Sequence, residues 1–349
     1  MAVTLHDVAR VAGVSIKTVS NVINDYPHIR PATKSKVEQA IEELGYQPNL
    51  TARSLRSGRA GAIALAVPDL SLPYFAELAG AVIAAAEAAG IVVLVEQTGG
   101  DPARELEVLR SPRLTMTDGL IFSPLGIEQS DAPALRVPYP LVLLGERVFD
   151  PEHDHVSMRN VEAARAATEF LIASGRRRIA VVGAHEGEVI GSAGFRLQGY
   201  REALDAAGLE FDPDLVGYTA PWHRSGGAQA MRDVLAHGAP FDAVFGLNDT
   251  LALGAMRVLQ EAGLRVPHDV SVIGFDDLDE AEYSIPSLTT VDPGRRWIAR
   301  TAVETLLARI TAATLDAADA PQPALQLAEF RIVERESAPA AASAIATAV

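Results

Sequence analysis

Apolar residues at helical spacing open the chain. Leu5, Val8, Ala9 and Ala12 share one face of a predicted helix. Thr4 suits its N-cap and Asp7 follows three residues on, although Asp is a weaker partner than Glu in a reciprocal cap. Gly13 predicts its end, because glycine reaches the left-handed conformation that a C-cap needs. Ser15 then caps a second helix, Ile16–Ile23, with Val19, Val22 and Ile23 along an apolar edge and Lys17, Thr18, Asn21 and Asn24 polar. A third helix is predicted at about Pro31–Leu44, with Val37, Ala40, Ile41 and Leu44 inward and Gly45 after it. Two short helices around a glycine turn, followed by a third, read as helix-turn-helix.

Beyond residue 59 the period changes. Apolar runs of strand length alternate with helical patterns: Ile63–Val67, then Phe75–Ala89; Ile91–Val95, then about Pro102–Arg110; then the short runs Gly119–Phe122 and Leu141–Leu144. The alternation restarts with a helix at Ala163–Ala173 and a strand at Ile179–Val182. It continues through Arg196–Ala207, Leu215–Tyr218, Gly226–Ala236, Ala243–Phe245, Thr250–Ala262 and Ser271–Phe275. Such alternation predicts parallel sheets with helices on both faces, here in two lobes with a cleft between them. Ligands of open α/β sheets bind beyond the carboxyl ends of the strands. Those ends offer Asp69, Tyr74 and Phe75 in the first lobe, and Arg196, Trp222, Asn248 and Asp276 in the second. Aromatic faces, a guanidinium, amides and carboxylates suit a polyhydroxyl ligand, and equally a nucleobase or an amino acid.

Charge sharpens the division. The net charge of the 349 residues is −15, which alone argues against a nucleic-acid partner. Residues 1–60 nevertheless hold eight Lys and Arg against five acids, a balance of +3, and the remainder carries −18. A basic head on an acidic body confines nucleic-acid contact to the head. The absence of cysteine excludes a disulfide scaffold, a thiolate metal site and a Cys nucleophile. Apolar stretches are too short for a membrane helix, and no secretory signal is visible, so a cytoplasmic protein is expected.

Motifs then become specific. Thr4-Leu5-His6-Asp7-Val8-Ala9, Ala12-Gly13-Val14-Ser15, Thr18-Val19-Ser20, Val22-Ile23-Asn24 and Leu44-Gly45-Tyr46-Gln47-Pro48-Asn49 resemble the LacI/GalR family of bacterial regulators. Ala52-Arg53-Ser54-Leu55 is similar to that family's hinge helix. In the body, Asp118-Gly119-Leu120-Ile121, Arg196-Leu197-Gln198-Gly199-Tyr200, Asn248-Asp249, Ser271-Val272-Ile273-Gly274-Phe275-Asp276 and Pro286-Ser287-Leu288-Thr289-Thr290-Val291 resemble its effector domain. The resemblance implies an all-α helix-turn-helix domain (1–47), a hinge helix (48–58), a two-lobed α/β periplasmic-binding-protein-like effector domain (59–337) and a flexible tail (338–349). Its first lobe spans about 59–159 and 292–320, its second about 160–291 and 321–337.

The resemblance also implies roles. Ile16, Lys17 and Asn21 read the operator. Ser15, Thr18, Ser20, Asn24 and His28 hold phosphates or the groove edge, and Thr4, Leu5, Asn49 and Ala52 join the DNA face. Leu55 is the wedge inserted into the minor groove at a central CpG step. Asn21 stands where the family often has arginine, which removes a guanine contact worth about 1–3 kcal/mol of discrimination. Residues 49–58 are expected to fold on DNA. Tyr74, Phe75, Ser192, Arg196, Trp222, Asn248 and Asp276 hold the effector. Plainer roles stand beside these: an ion pair bridging the lobes for Arg196 and Asp276, a helix start for Asn248, core for Trp222. Arg159 replaces a frequent acidic residue near the cleft. It either favours an anionic ligand or pairs with Glu146, and the pair is preferred.

No P-loop, G-x-G-x-x-G or G-x-S-x-G motif occurs. His153-Asp154-His155 reads as a solvated loop rather than a metal site. The expectation is a homodimeric repressor of carbohydrate genes, bound to palindromic operator DNA and relieved by a small sugar-like effector, with no cofactor, metal or membrane partner and no catalysis. A co-repressed regulator, a solute-binding protein and a sugar-modifying enzyme are the rivals.

Overall fold

The computed structural model describes residues 3–23, 26–46, 59–315 and 322–340. It divides into two compact units, 1–60 and 61–349.

Among the described residues the head has three helices: α1 (Leu5–Ala12), α2 (Ile16–Ile23) and α3 (Pro31–Leu44). The reciprocal cap of α1 forms despite the short Asp side chain. The Asp7 N–H donates to Thr4 Oγ1 at 3.4 Å, and the Thr4 N–H donates to Asp7 Oδ2 at 3.0 Å. Gly13 and Gly45 end α1 and α3 at φ of 65° and 59°, which frees α2 to turn against α1. Val8, Val19, Val22, Val37 and Ala40 are buried together with Tyr46, while Ile41 and Leu44 are half-buried beside them.

The body holds two parallel sheets. The first lobe contains β1 (Ala62–Val67), α4 (Pro73–Ala88), β2 (Val92–Gln97), α5 (Pro102–Val108), β3 (Leu120–Phe122), β4 (Leu141–Leu144) and β5 (Asp154–Ser157). The second contains α6 (Asn160–Ala173), β6 (Ile179–Ala184), α7 (Ser192–Ala206), β7 (Val216–Tyr218), α8 (Arg224–His237), β8 (Ala243–Gly246), α9 (Asp249–Glu261), β9 (Ser271–Ile273) and α10 (Asp279–Tyr283). The chain then runs through β10 (Thr290–Asp292), α11 (Arg295–Leu315), β11 (Leu325–Leu327) and β12 (Arg331–Val333). Sheet orders are β11-β5-β4-β3-β1-β2 and β7-β6-β8-β9, all parallel, and β10 pairs antiparallel with β12.

Three elements correct the sequence reading. His153-Asp154-His155 is not a solvated loop: Asp154 and His155 open the buried strand β5. Arg309 neutralises Asp154, and His155 Nε2 meets the Gly145 carbonyl, so two polar residues enter a sheet already paired. Residues 325–327 belong to the first lobe as β11, not to the second. The helix carrying Arg196 starts one turn earlier than expected, at Ser192.

Among the described residues the backbone crosses between lobes three times, at β5–α6, β10–α11 and β11–β12. Arg159–Glu329 at 3.2 Å and Arg331–Asp292 at 3.0 Å tie the crossings to one another. α4 and α11 cover one face of the first sheet, while the second lobe buries one continuous core.

Candidate functional site

Strand ends of both lobes surround one cavity of about 500 Å³. Both sheets reverse their strand order around one strand, β1 in one and β6 in the other, and the cavity opens beyond the carboxyl ends there. All seven residues singled out for the effector, Tyr74, Phe75, Ser192, Arg196, Trp222, Asn248 and Asp276, lie in its wall.

Arg196 is 2% exposed and Asp276 3%. Arg196 projects from α7 between aromatic faces, its guanidinium 3.6 Å from the Phe275 ring centroid and 5.3 Å from that of Trp222. Its Nε donates to Asn160 Oδ1 at 2.8 Å and its Nη1 to the Leu247 carbonyl. Nη2 stands 3.6 Å from Asp276 Oδ1, too far for a hydrogen bond, and that oxygen is buried without a partner. Both residues belong to the second lobe, so their pair does not bridge the lobes as the plainer reading supposed.

Asp276 is aimed by strained backbone. Asp276 and Asp277 have φ of 114° and 48°, which non-glycine residues rarely adopt. The Asp276 N–H donates to the Val291 carbonyl, Arg295 Nη1 donates to the Asp276 carbonyl at 2.7 Å, and Arg335 pairs with Asp277 at 2.8 Å. Buried Asp249 accepts from the Leu278 N–H at 2.8 Å and from the Thr290 hydroxyl. Together these bonds hold the turn.

Asn248 does cap α9, accepting from the Leu251 N–H at 2.8 Å, and it also lines the cavity. Trp222 donates its indole N–H to the Gly183 carbonyl at 2.8 Å, and it both packs against the second lobe's core and lines the cavity. Tyr74 and Phe75 stand edge to face at 5.2 Å. Burial pushes the Tyr74 phenol far above its usual range, leaving it a neutral hydrogen-bonding group.

Sequence reasoning missed Arg147, His185 and Glu188 and named Glu146 only as a partner for Arg159; all four also line the cavity. Each follows a strand that the apolar pattern marked, β4 or β6; the survey of strand ends passed over them. Arg159 is not in the wall. It pairs with Glu329 and Glu162, and Glu146 instead accepts from the Ser192 hydroxyl. The expected Arg159–Glu146 pair is therefore corrected.

Burial pushes the Asp276 carboxyl up to about 6, with Arg196 and Arg295 opposing and Glu77 and Glu146 adding. The folded chain therefore holds a proton between about pH 4 and 6 that the unfolded chain releases. This residue's contribution to stability should fall as pH rises through that window, by at most about 1.4 kcal/mol per unit, and stay level above it. Urea denaturation of the parent and of Asp276→Asn across that range checks this, because the variant should lose that component of the slope. An identical slope in both would place the titration elsewhere.

In the head, Ser15 caps α2, accepting from the Thr18 N–H at 3.1 Å, and the two hydroxyls lie 2.9 Å apart. Lys17 and His28 are exposed, and Thr18, Ser20 and Asn21 are half-buried. Ile16 and Leu5 pack partly against the head's core, and the Thr4 hydroxyl is engaged with Asp7. Asn24, Asn49, Ala52, Leu55 and the hinge 48–58 lie outside the described residues, as does the tail beyond 340.

Residues 4–49 match the family model of bacterial regulatory proteins, lacI family, and residues 168–338 that of a periplasmic binding protein-like domain. The chain is 35% identical over 340 residues to the ribose operon repressor of Escherichia coli K12, covering 96% of this chain and 99% of that protein. It belongs to the lacI family. The HTH-type transcriptional regulator CelR of Thermobifida fusca is 37% identical to this lacI-family chain over 344 residues, covering 96% and 98%. The lac repressor dimer bound to operator and the anti-inducer ONPF superposes with a TM-score of 0.80 at 30% identity, covering 97% of this chain and 100% of that one. A LacI-family protein from Sanguibacter keddieii reaches 52% identity and a TM-score of 0.74 over 80% of this chain and 99% of that one. The curated relatives are named as repressors or transcriptional regulators. No described helix is long and apolar enough to cross a membrane.

Proposed function

We propose that this lacI-family member is a homodimeric cytoplasmic repressor, non-enzymatic, which binds palindromic operator DNA and releases it when a sugar-like effector fills the cavity. The observation carrying this reading is the buried Arg196–Asp276 set, held between aromatic walls on a chain whose head matches the lacI model. A guanidinium and a carboxylate oxygen without a hydrogen-bond partner present both halves of what a ring hydroxyl needs. The related CelR has been solved as a cellobiose complex, which supports a carbohydrate effector.

In this reading Ser15, Ile16, Lys17, Thr18, Ser20 and Asn21 face the operator and residues 48–58 form the hinge, with Leu55 as the wedge. The parallel edge strand β2 exposes Val92, Leu94 and Val95 by 52%, 40% and 38%, a sheet edge suited to cover by a second copy. An effector touching both lobes shifts their relation and thereby the spacing of the two hinges. Coupling of this kind amounts to about 1–3 kcal/mol and is reciprocal.

Selection from a randomised duplex pool tests the head. Purified protein at near-physiological salt is expected to enrich an inverted repeat with a central CG step. Enrichment only when a sugar is added would mean co-repression. No enrichment under either condition would sink the DNA reading.

A further inference from the structure

We infer that the cavity is built for a neutral ligand of two linked rings, a disaccharide or an aryl glycoside, whose outer ring is read by Arg147, Glu188 and His185. The inference rests on the carbohydrate reading above and narrows it.

Partnerless buried atoms stand at two places in the wall. One is Asp276 Oδ1, beside Arg196; the others are Arg147 Nε and His185 Nε2. Buried polar atoms are ordinarily satisfied, so each marks a hydrogen bond that a ligand could complete. The two places are separated along α7. Ser192, bonded to Glu146, belongs with the outer set, and Arg196 lies one turn further on, a rise of about 6 Å. Trp222 touches both sets: its ring centroid is 5.3 Å from the Arg196 guanidinium and 5.5 Å from the His185 ring centroid. An aromatic face between two polar clusters suits one ring on either side of a linkage.

Size agrees. A hexose packed as in a molecular crystal takes up roughly 200 Å³, and the cavity holds about 500 Å³. One ring would leave more than half of it to water.

Charge sets the ligand's neutrality. Each arginine of the wall already has a carboxylate: Arg147 lies 3.4 Å from Glu188, and Arg196 lies 3.6 Å from Asp276. Glu146 adds a further acid. An anionic ligand would meet a site with no cation to spare. The outer set also joins the lobes, because Arg147 follows β4 and donates to the Ile190 carbonyl at 2.8 Å beyond β6. His185 Nδ1 lies 2.8 Å from Glu188 Oε2, which fixes the imidazole, while its Nε2 is buried without a partner in the wall.

Calorimetry on the full-length protein tests this with α- and β-linked neutral disaccharides, p-nitrophenyl glycosides, the constituent hexoses and pentoses, and hexose 6-phosphates. At least one two-ring neutral probe is expected to bind about 10-fold or more tightly than its own non-reducing sugar alone. Arg147→Ala should erase that advantage, so that the two-ring probe binds no more tightly than the single sugar. Equal or tighter binding of a single ring, tighter binding of a phosphate, or an undiminished advantage in Arg147→Ala would overturn the inference and leave the carbohydrate reading intact. No heat from any neutral glycoside at millimolar concentration would overturn that reading and the inference with it.

Discussion

An Arg196→Ala variant is expected to hold its operator and ignore its effector. Arg196 is remote in sequence from the head and makes its bonds within the body, to Asn160, Leu247 and the Met158 sulfur. Truncation removes the fork that orients ring hydroxyls and strands the Asp276 carboxylate in a buried place. Losing one partner of a buried, hydrogen-bonded charge set costs about 2–5 kcal/mol of binding, so effector affinity should drop at least about 30-fold. The same truncation leaves two acceptors without donors, and some loss of stability is expected. Arg196→Lys separates the two effects. It keeps a cation beside Asp276 but cannot reproduce the planar fork, so it should fold better and still respond poorly. Mobility shifts on operator, titrated with effector, give the answer. A parental response in either variant would remove Arg196 from the site.

Gly199→Ala is expected to be strongly destabilising although it adds a single methyl group. A β-carbon there would sit 2.2 Å from the Val161 carbonyl oxygen and 2.8 Å from the Arg165 nitrogen. Both are backbone atoms of α6, which cannot swing aside as a side chain can. α7 would have to move off α6, taking Ser192 and Arg196 with it. Overpacking of this kind costs about 3 kcal/mol, or roughly 6–12 °C of melting temperature for a lobe of this size. Gln198→Ala, one residue earlier and exposed, should change stability by less than about 0.5 kcal/mol. Thermal melts of the two variants side by side make the comparison. Equal melting temperatures would show that the helices are not locked at Gly199.

Much of this was readable beforehand, and the reasons are local. α1 ends at Gly13, α2 begins after Ser15, and α3 runs from Pro31 to its cap at Gly45 as predicted, because caps act over a few bonds. β1 and β4 are short apolar runs buried on both faces, and hydrophobicity alone marks them. β5 was illegible because its histidine and aspartate enter a buried strand only with partners 155 residues away at Arg309 and ten away at Gly145. Nothing within the run announces those partners. β10, β11 and β12 are three residues each, too short to show a period. The inner half of the cavity followed from residue types at strand ends. Of the outer half only Ser192 did, because nothing along the sequence sets Arg147 beside Glu188 until the fold brings them together across the cleft.

The three crossings between the lobes also bear on how such a protein can be recombined. The second lobe is not an uninterrupted insert, since Val291 and Ala338, on either side of α11, are both buried in its core. A gene fusion with one breakpoint inside the body would therefore always join half of one lobe to half of another. The head is joined to the body by one stretch of chain, and a single breakpoint there leaves both units whole. Domain shuffling among relatives should accordingly exchange operator preference freely, while the two walls of the cavity are inherited as a pair.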